Sequence, residues 1–240
     1  MEETTEMTVQ SPSWSQLRDD MLTRELLDTL ACDQRTAHLE LSISTEGRVV
    51  QVKGQVGSEE ERQRLRRLLR RQDGLYAVWD FLSLPNQQLA VADIGCGSHK
   101  QADWACGVDR FALPGVDVVT NLEAALPFEE NSFDHIFAIH VLEHIVDLMG
   151  LMGELHRVLR PTGVLHIFAP YWRHVHAVAD PTHVRFIDMQ TFRYFCQPHP
   201  GVLPWQPLIA ASSDDTVFAD LQPLKDGTTA DPSQVARWFY

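Results

Sequence analysis

The sequence contains no apolar stretch near the ~18 uncharged residues that a membrane-spanning helix requires. Its opening, Met1 to Gln10, has neither the basic nor the apolar region of a secretory leader. A cytoplasmic protein is the resulting expectation. Cysteine is sparse: Cys32, Cys96, Cys106 and Cys196 are scattered without a C-x-x-C pair, so neither a disulfide framework nor a zinc ribbon is signalled. Positive charge is short as well, with 20 Lys and Arg against 33 Asp and Glu and a net charge of −13. Phosphate binding draws on Lys and Arg that displace counterions, so nucleic acid is disfavoured as a partner. A local basic patch would escape that argument, which concerns the average field.

What is present is the make-up of an ordinary folded protein, 44% hydrophobic and 22% charged, and 240 residues admit one large or two modest domains. Residues 1–16 are polar, with Ser11, Pro12, Ser13 and Ser15 clustered, and read as a flexible tail. Leu22, Leu26, Leu27 and Leu30 share one face of a helix, and alternation from His38 to Ile43 predicts a strand. Val50, Val52 and Val56 mark a second strand between Gly47 and later turn residues. Ser58 then caps a helix that opens on Glu59, Glu60 and Glu61 and buries Leu65, Leu68 and Leu69. Gly74 ends it, and Leu75 to Leu84 supplies a third strand before a linker at Pro85 to Gln87.

This order, with Val49 to Ser58 (VVQVKGQVGS), an Arg-rich helix and Gly74 to Asp80 (GLYAVWD), resembles the BON domain over residues 17–84. The resemblance implies a small α/β module of a kind associated with membrane lipids or other ligands. Six arginines between Arg62 and Arg71 leave a peripheral membrane contact open. The simpler reading puts them on a solvated face, partly neutralised by Glu59 to Glu61, with the leucines accounting for the buried one.

Leu89 to Ile94 is an apolar run too brief for a helix, and it stops at Gly95-Cys96-Gly97 as a buried parallel strand entering a glycine turn does. In an open α/β sheet, ligands bind beyond the carboxyl ends of the strands, so the turn lies at a site. Gly107-Val108-Asp109 ends a second short strand on a carboxylate able to accept from the two vicinal hydroxyls of a ribose. A nicotinamide dinucleotide would want a third glycine and an acid ~20 positions on. Position 100 is Lys, and Asp109 comes too soon.

Further motifs follow in order: Leu126-Pro127-Phe128 with Asn131 to Phe137, His140-Val141-Leu142-Glu143-His144, and Glu154 to Gly163 before an apolar strand from Val164 to Pro170. With Asp93-x-Gly95-x-Gly97 they resemble the class I S-adenosylmethionine-dependent methyltransferases of the type 11 kind. The resemblance implies an α/β fold over residues 88–240, a Rossmann-like, mostly parallel sheet flanked by helices, preceded by the small BON-like domain. Independently, a broad apolar stripe over Val146 to Arg160 that ends at Pro161 and Gly163 is suited to a helix lying on a sheet.

From that likeness the cofactor is S-adenosylmethionine. Asp93, Gly95 and Gly97 would contact its methionine part, Asp109 its ribose and Asn121 and Leu122 its adenine, with His140 beside the sulfonium. Two departures stand out. Asn121 occupies a place often held by an acid, and Ser98 to Cys106 is shorter than the dozen or so residues of a parallel crossover, so the first helix must be short or absent. A subgroup with a curtailed crossover shares Gly115 to Val119 and Asp180-Pro181-Thr182-His183-Val184-Arg185.

Methyl transfer chiefly requires alignment and exclusion of water. Where the acceptor is a hydroxyl or protonated amine a histidine base is useful, and His183 and His140 are the candidates. Tyr171, Asp180, His183 and Arg185 are the expected substrate residues. Alternatively, Asp180 to Arg185 is only an ordered loop whose Asp and His cap a helix over Met189 to Phe195. His174, His176, Asp180 and His183 match no metal motif, and no metal site is expected. The expected function is methyl transfer to a small-molecule or lipid-linked acceptor; the alternative is a non-catalytic adenosylmethionine-binding scaffold. Oligomeric state and the acceptor are not encoded in any recognisable motif.

Overall fold

In the computed structural model, which describes residues 12–240, helix α1 (Trp14–Cys32) opens on a capping box. The Ser13 hydroxyl accepts from Gln16 N–H at 3.2 Å while the Gln16 side chain accepts from Ser13 N–H at 2.7 Å. Most of the tail expected over 1–16 falls on residues 1–11, outside the described ones. Residues 14–16 are helical, because one serine of the polar cluster is a cap. Leu22, Leu26 and Leu30 are buried, whereas Leu27, expected on the same face, is 44% exposed.

Strands β1 (Leu41–Glu46) and β2 (Val49–Gln55) form an antiparallel pair. Helix α2 (Glu59–Leu69), capped by Ser58, then crosses to β3 (Ala77–Ser83), which pairs parallel to β2. The helix, strand, strand, helix, strand order read from the sequence is the observed one.

The second sheet has seven strands: β4 (Val91–Ile94), β5 (Cys106–Asp109), β6 (Val118–Val119), β7 (Phe133–Ile139), β8 (Leu159–Pro170), β9 (Trp205–Ser212) and β10 (Thr216–Pro223). Its order is β6-β5-β4-β7-β8-β10-β9, with β10 antiparallel to both neighbours and the other pairs parallel. Pro161 and Gly163, expected to end the preceding helix, lie inside β8, which begins at Leu159, and fall in a register shift of its pairing with β7. Helix α3 (Leu148–Val158) buries Leu151, Met152 and Leu155 against one face, in a core with Ile94, Ile136, Leu165 and Ile167.

No helix joins β4 to β5, as the short crossover requires. The face it leaves bare is covered by the N-terminal module. Alternate residues of β3, Ala77, Trp79 and Phe81, pack with Val91, Ala105 and Phe137, and the Trp79 ring meets that of Phe137 edge-on at 4.9 Å. Val78 and Leu82 point the other way, into the core of the small module. Although β3 is an edge strand of its sheet, both of its faces are dry, which explains why the Val-Trp-Asp-Phe-Leu stretch is so apolar.

The arginines of α2 depart from the solvated face expected of them, since Arg62, Arg66 and Arg70 are 2%, 2% and 6% exposed. For Arg66 and Arg70 the cause is Asp80 on β3, fully buried, which accepts from Arg66 Nε at 2.5 Å and Arg70 Nη2 at 2.9 Å; Arg62 instead pairs with Glu59 and donates to the Leu82 carbonyl at 3.5 Å. Arg66 also donates to the Thr162 carbonyl at 2.7 Å and lies 3.4 Å from His135 Nε2. The chain of contacts continues through His166 to Asp220, whose other oxygen accepts the Val78 N–H of β3 at 2.9 Å. Burial holds His135 well below the ordinary histidine pKa, so it sits neutral in this chain. Burial alone would raise the Asp80 carboxyl, but Arg66 and Arg70 outweigh it and hold the group at about 2. Among the described residues no helix is long and apolar enough to cross a membrane.

Candidate cofactor and acceptor site

The turn after β4 is possible only with glycine at its first position. Gly95 has φ +62°, and a Cβ there would lie 2.5 Å from Val141 Cγ2. Gly95 N–H donates to the Val108 carbonyl at 2.6 Å, which draws the turn against the end of β5. There Asp109 accepts from Gly97 N–H at 2.9 Å with one oxygen and from Phe111 N–H at 2.9 Å with the other. The carboxylate therefore clamps the glycine turn while each oxygen retains a lone pair.

Gly95, Gly97 and Asp109 line one cavity of ≈ 460 Å³, together with Asn121, Leu122 and His140. Val141 and Ile145 form its inner wall, and Phe111 and Leu113, 59% and 41% exposed, its rim. A Cβ on Gly97 would meet nothing within 4 Å, so the bare backbone there leaves free space for a ligand to approach. An apolar hollow with a carboxylate at one end suits a nucleoside, and the volume lies within the usual ~300–1,000 Å³ of ligand pockets. Nothing in it resembles a cradle for pyrophosphate. Asn121 does line the hollow, but its side-chain oxygen already accepts Glu123 N–H at 3.1 Å.

Asp93 is not among the residues lining the cavity. It is 1% exposed beneath the turn and accepts Gln101 N–H at 2.6 Å, so it braces the short crossover. Burial, only partly offset by that bond and by Lys100, pushes its carboxyl up to about 6. The unfolded chain loses this proton near 3.8 and the folded one near 6, so folding is favoured below 3.8 and loses free energy as pH rises through 6. Asp93→Asn is accordingly expected to be more stable than the wild type at pH 8, by on the order of 2 kcal/mol, with the gap closing by pH 4. Urea unfolding at the two pH values measures it, and a gap independent of pH would reject the raised carboxyl.

A second cavity, of ≈ 570 Å³, adjoins the first, with His140 and His144 common to both. Its walls include Glu143, Asp180 and His183. His140 adopts φ +55°, with its backbone N–H held by the Phe168 carbonyl at 2.9 Å and its side chain 54% exposed. The loop from Asp180 to Arg185 is fastened to the 3-10 turn Leu142–His144: Val184 N–H donates to the Glu143 carbonyl at 2.9 Å, and Arg185 donates to the Ile145 carbonyl at 2.6 and 2.9 Å. Arg185 thus holds the loop and does not line either cavity. Tyr171 lines neither; its backbone bridges Ile187 and donates to the Asp215 carbonyl at 2.7 Å.

The helix α5 (Met189–Phe195) is capped by Asp188 and not by Asp180 or His183. Asp180 instead accepts from Thr182 N–H at 2.8 Å, and His183 Nδ1 lies 3.0 Å from the Ala177 carbonyl, at the end of helix α4 (Val175–Ala179). Glu143, 2% exposed with neither carboxylate oxygen hydrogen-bonded, was not singled out from the sequence. The available signal was its position, an acid between two histidines in an otherwise apolar Val-Leu stretch following a buried strand.

Residues 92–167 match the family model described as a methyltransferase domain. The matched segment holds the turn, Asp109 and His140, and S-adenosylmethionine is the cofactor that the match supports. Sterol 24-C-methyltransferase erg6 of Schizosaccharomyces pombe is 44% identical over 43 residues, 18% of this chain and 11% of that protein. Methyltransferase GfsG of Streptomyces halstedii is 34% identical over 100 residues, 32% of this chain and 36% of that protein. The match thus spans about a tenth of the length of the first relative and little more than a third of the second. Among solved structures, YcgJ of Bacillus subtilis is 17% identical with a TM-score of 0.46, over 57% of this chain and 93% of that one.

Proposed function

We propose that the chain transfers the methyl group of S-adenosylmethionine to a small-molecule or lipid-linked acceptor. The observation that carries this reading is the convergence of the Gly95 to Gly97 turn, Asp109 and His140 on one hollow that opens into a second. Bound there, S-adenosylmethionine supplies an electrophilic methyl group on sulfur. Asp109 would accept from the ribose hydroxyls, the Gly97 backbone would meet the methionine part, and Leu122 with Phe111 would cover the adenine. Asp93 would keep the turn in shape from below and Asn121 would shape the adenine end.

The acceptor would enter from the second hollow, where His140, Asp180 and His183 stand. His183 Nδ1 faces a carbonyl, which can only accept, so its proton lies on Nδ1 and Nε2 keeps a lone pair for an acceptor proton. Tyr171 and Arg185 support that wall through the loop they hold. Relatives named for sterol substrates make an apolar acceptor reasonable, and the exposed Phe111 and Leu113 at the rim of the first hollow fit one. The N-terminal module keeps its BON-like reading; the contribution supported by contacts is to cover the bare sheet face, and peripheral membrane binding is a further role consistent with that likeness.

Incubation of the full chain with methyl-labelled S-adenosylmethionine and separated aqueous and lipid extracts is expected to release S-adenosylhomocysteine with one class of fraction and to label a product in it. Cofactor binding with no release on any fraction would replace the enzyme by a non-catalytic binding protein.

A further inference from the structure

Beside the cofactor hollow, Glu143, His144 and His183 each offer a ligand atom, and these atoms lie within 4.8 Å of one another. Glu143 is 2% exposed, and neither of its oxygens has a hydrogen-bond partner; the nearest cationic candidate, His140 Nδ1, stands 3.5 Å away. A buried carboxylate without donors is costly and asks for a cation.

The two imidazoles are oriented to supply lone pairs beside it. Thr182 gives its single hydroxyl proton to Asp180 at 2.6 Å, so toward His144 Nδ1, 3.0 Å away, that oxygen can only accept. The Thr182 carbonyl, 3.3 Å from the same nitrogen, accepts as well. His144 therefore carries its proton on Nδ1 and presents Nε2. His183 does the same, because its Nδ1 faces the Ala177 carbonyl at 3.0 Å. Histidines that ligate metals are commonly held in this way, by an acceptor on the other ring nitrogen.

We propose that Glu143, His144 and His183 bind a divalent transition-metal ion of the zinc class. Two histidines and one carboxylate form a donor set used by zinc and non-haem iron, and three protein ligands leave a coordination position open. All three residues line the second cavity, so that position faces the space assigned to the acceptor. Bonds of about 2.0–2.1 Å require the donors to draw closer than the 4.8 Å within which they now lie. Asp180, with Oδ2 3.9 Å from His183 Nε2, stands near enough to steer an incoming ion. With the ion in place, His183 gives its lone pair to the metal, and an acceptor oxygen would be held by the metal and not by the imidazole. This use of the ion rests on the function proposed above; the binding itself does not.

The test titrates chelator-treated full-length protein with zinc chloride, without cofactor, by calorimetry and by thermal melting. One zinc per chain and a raised melting temperature are expected, since a ligand of the native state stabilises it. Glu143→Gln and His183→Ala should each weaken that site at least tenfold, while His174→Ala, outside the triad, should not. Glu143→Gln should also melt higher than the wild type in the absence of zinc, because the unpaired charge is gone, and gain little when zinc is added. Equal zinc affinity in all four proteins, or a Glu143→Gln protein that melts lower without zinc and still rises with it, would overturn the site. S-adenosylhomocysteine binding, titrated separately, reports on the methyl-transfer reading, so the two can fail independently.

Discussion

Replacing Asp109 with alanine is expected to raise the dissociation constant for S-adenosylhomocysteine by ~100-fold or more. Two hydroxyl hydrogen bonds to a charged acceptor are each worth about 1.5–3 kcal/mol, and the variant also frees the Gly97 and Phe111 N–H groups that the carboxylate holds at 2.9 Å. Asp109→Asn should fall between the two, since its amide oxygen can serve one side of the clamp but not both. Calorimetry measures the affinities, and thermal melting establishes that each variant is folded. Unchanged affinity in a folded Asp109→Ala protein would remove the ribose from this end of the hollow.

The largest loss of stability is expected at Asp80. Asp80→Ala leaves Arg66 and Arg70 buried without their counter-charge, and breaking a buried ion pair from one side costs about 3–5 kcal/mol. Replacing the group as a whole, with Asp80→Leu, Arg66→Met and Arg70→Met together, should cost less than Asp80→Ala alone, because no charge is then stranded. Acid should narrow the difference. The Asp80 carboxyl is held at about 2 in the folded chain against 3.8 when free, so its contribution is complete above 3.8 and is lost as pH falls through 2. Urea unfolding at pH 7 and pH 3 reads both effects; a triple variant weaker than the single one would mean that the arginines hold the units together by themselves.

Much of this architecture was legible because its signals are local. The glycine turn at Gly95 to Gly97, the carboxylate ending a short strand at Asp109 and the too-brief crossover between them each follow from backbone sterics or chain length, and all three lie where those arguments put them. The burial of Arg66 and Arg70 was not legible. Helical periodicity assigns arginine to the solvent, and only the pairing of α2 with β3 brings Asp80 under it. Asp93 has the sequence position of a ligand residue and the contacts of a brace, a distinction made by one backbone N–H from Gln101. Likewise Arg185, a natural choice for binding an anionic group, spends its guanidinium on the carbonyls of Ile145 and Val146. Glu143 and His183 are brought together by the fastening of one loop to one turn, across a separation that no spacing rule covers.

The seating of Trp79 and its β3 neighbours across the large sheet bears on heredity as much as on architecture. A gene fragment encoding only residues 88–240 would inherit a sheet stripped of its lining on one side, with Phe137 and Val91 facing water. The leading segment is therefore no detachable cargo, and exchange of either half between genes would have to carry its matching surface along.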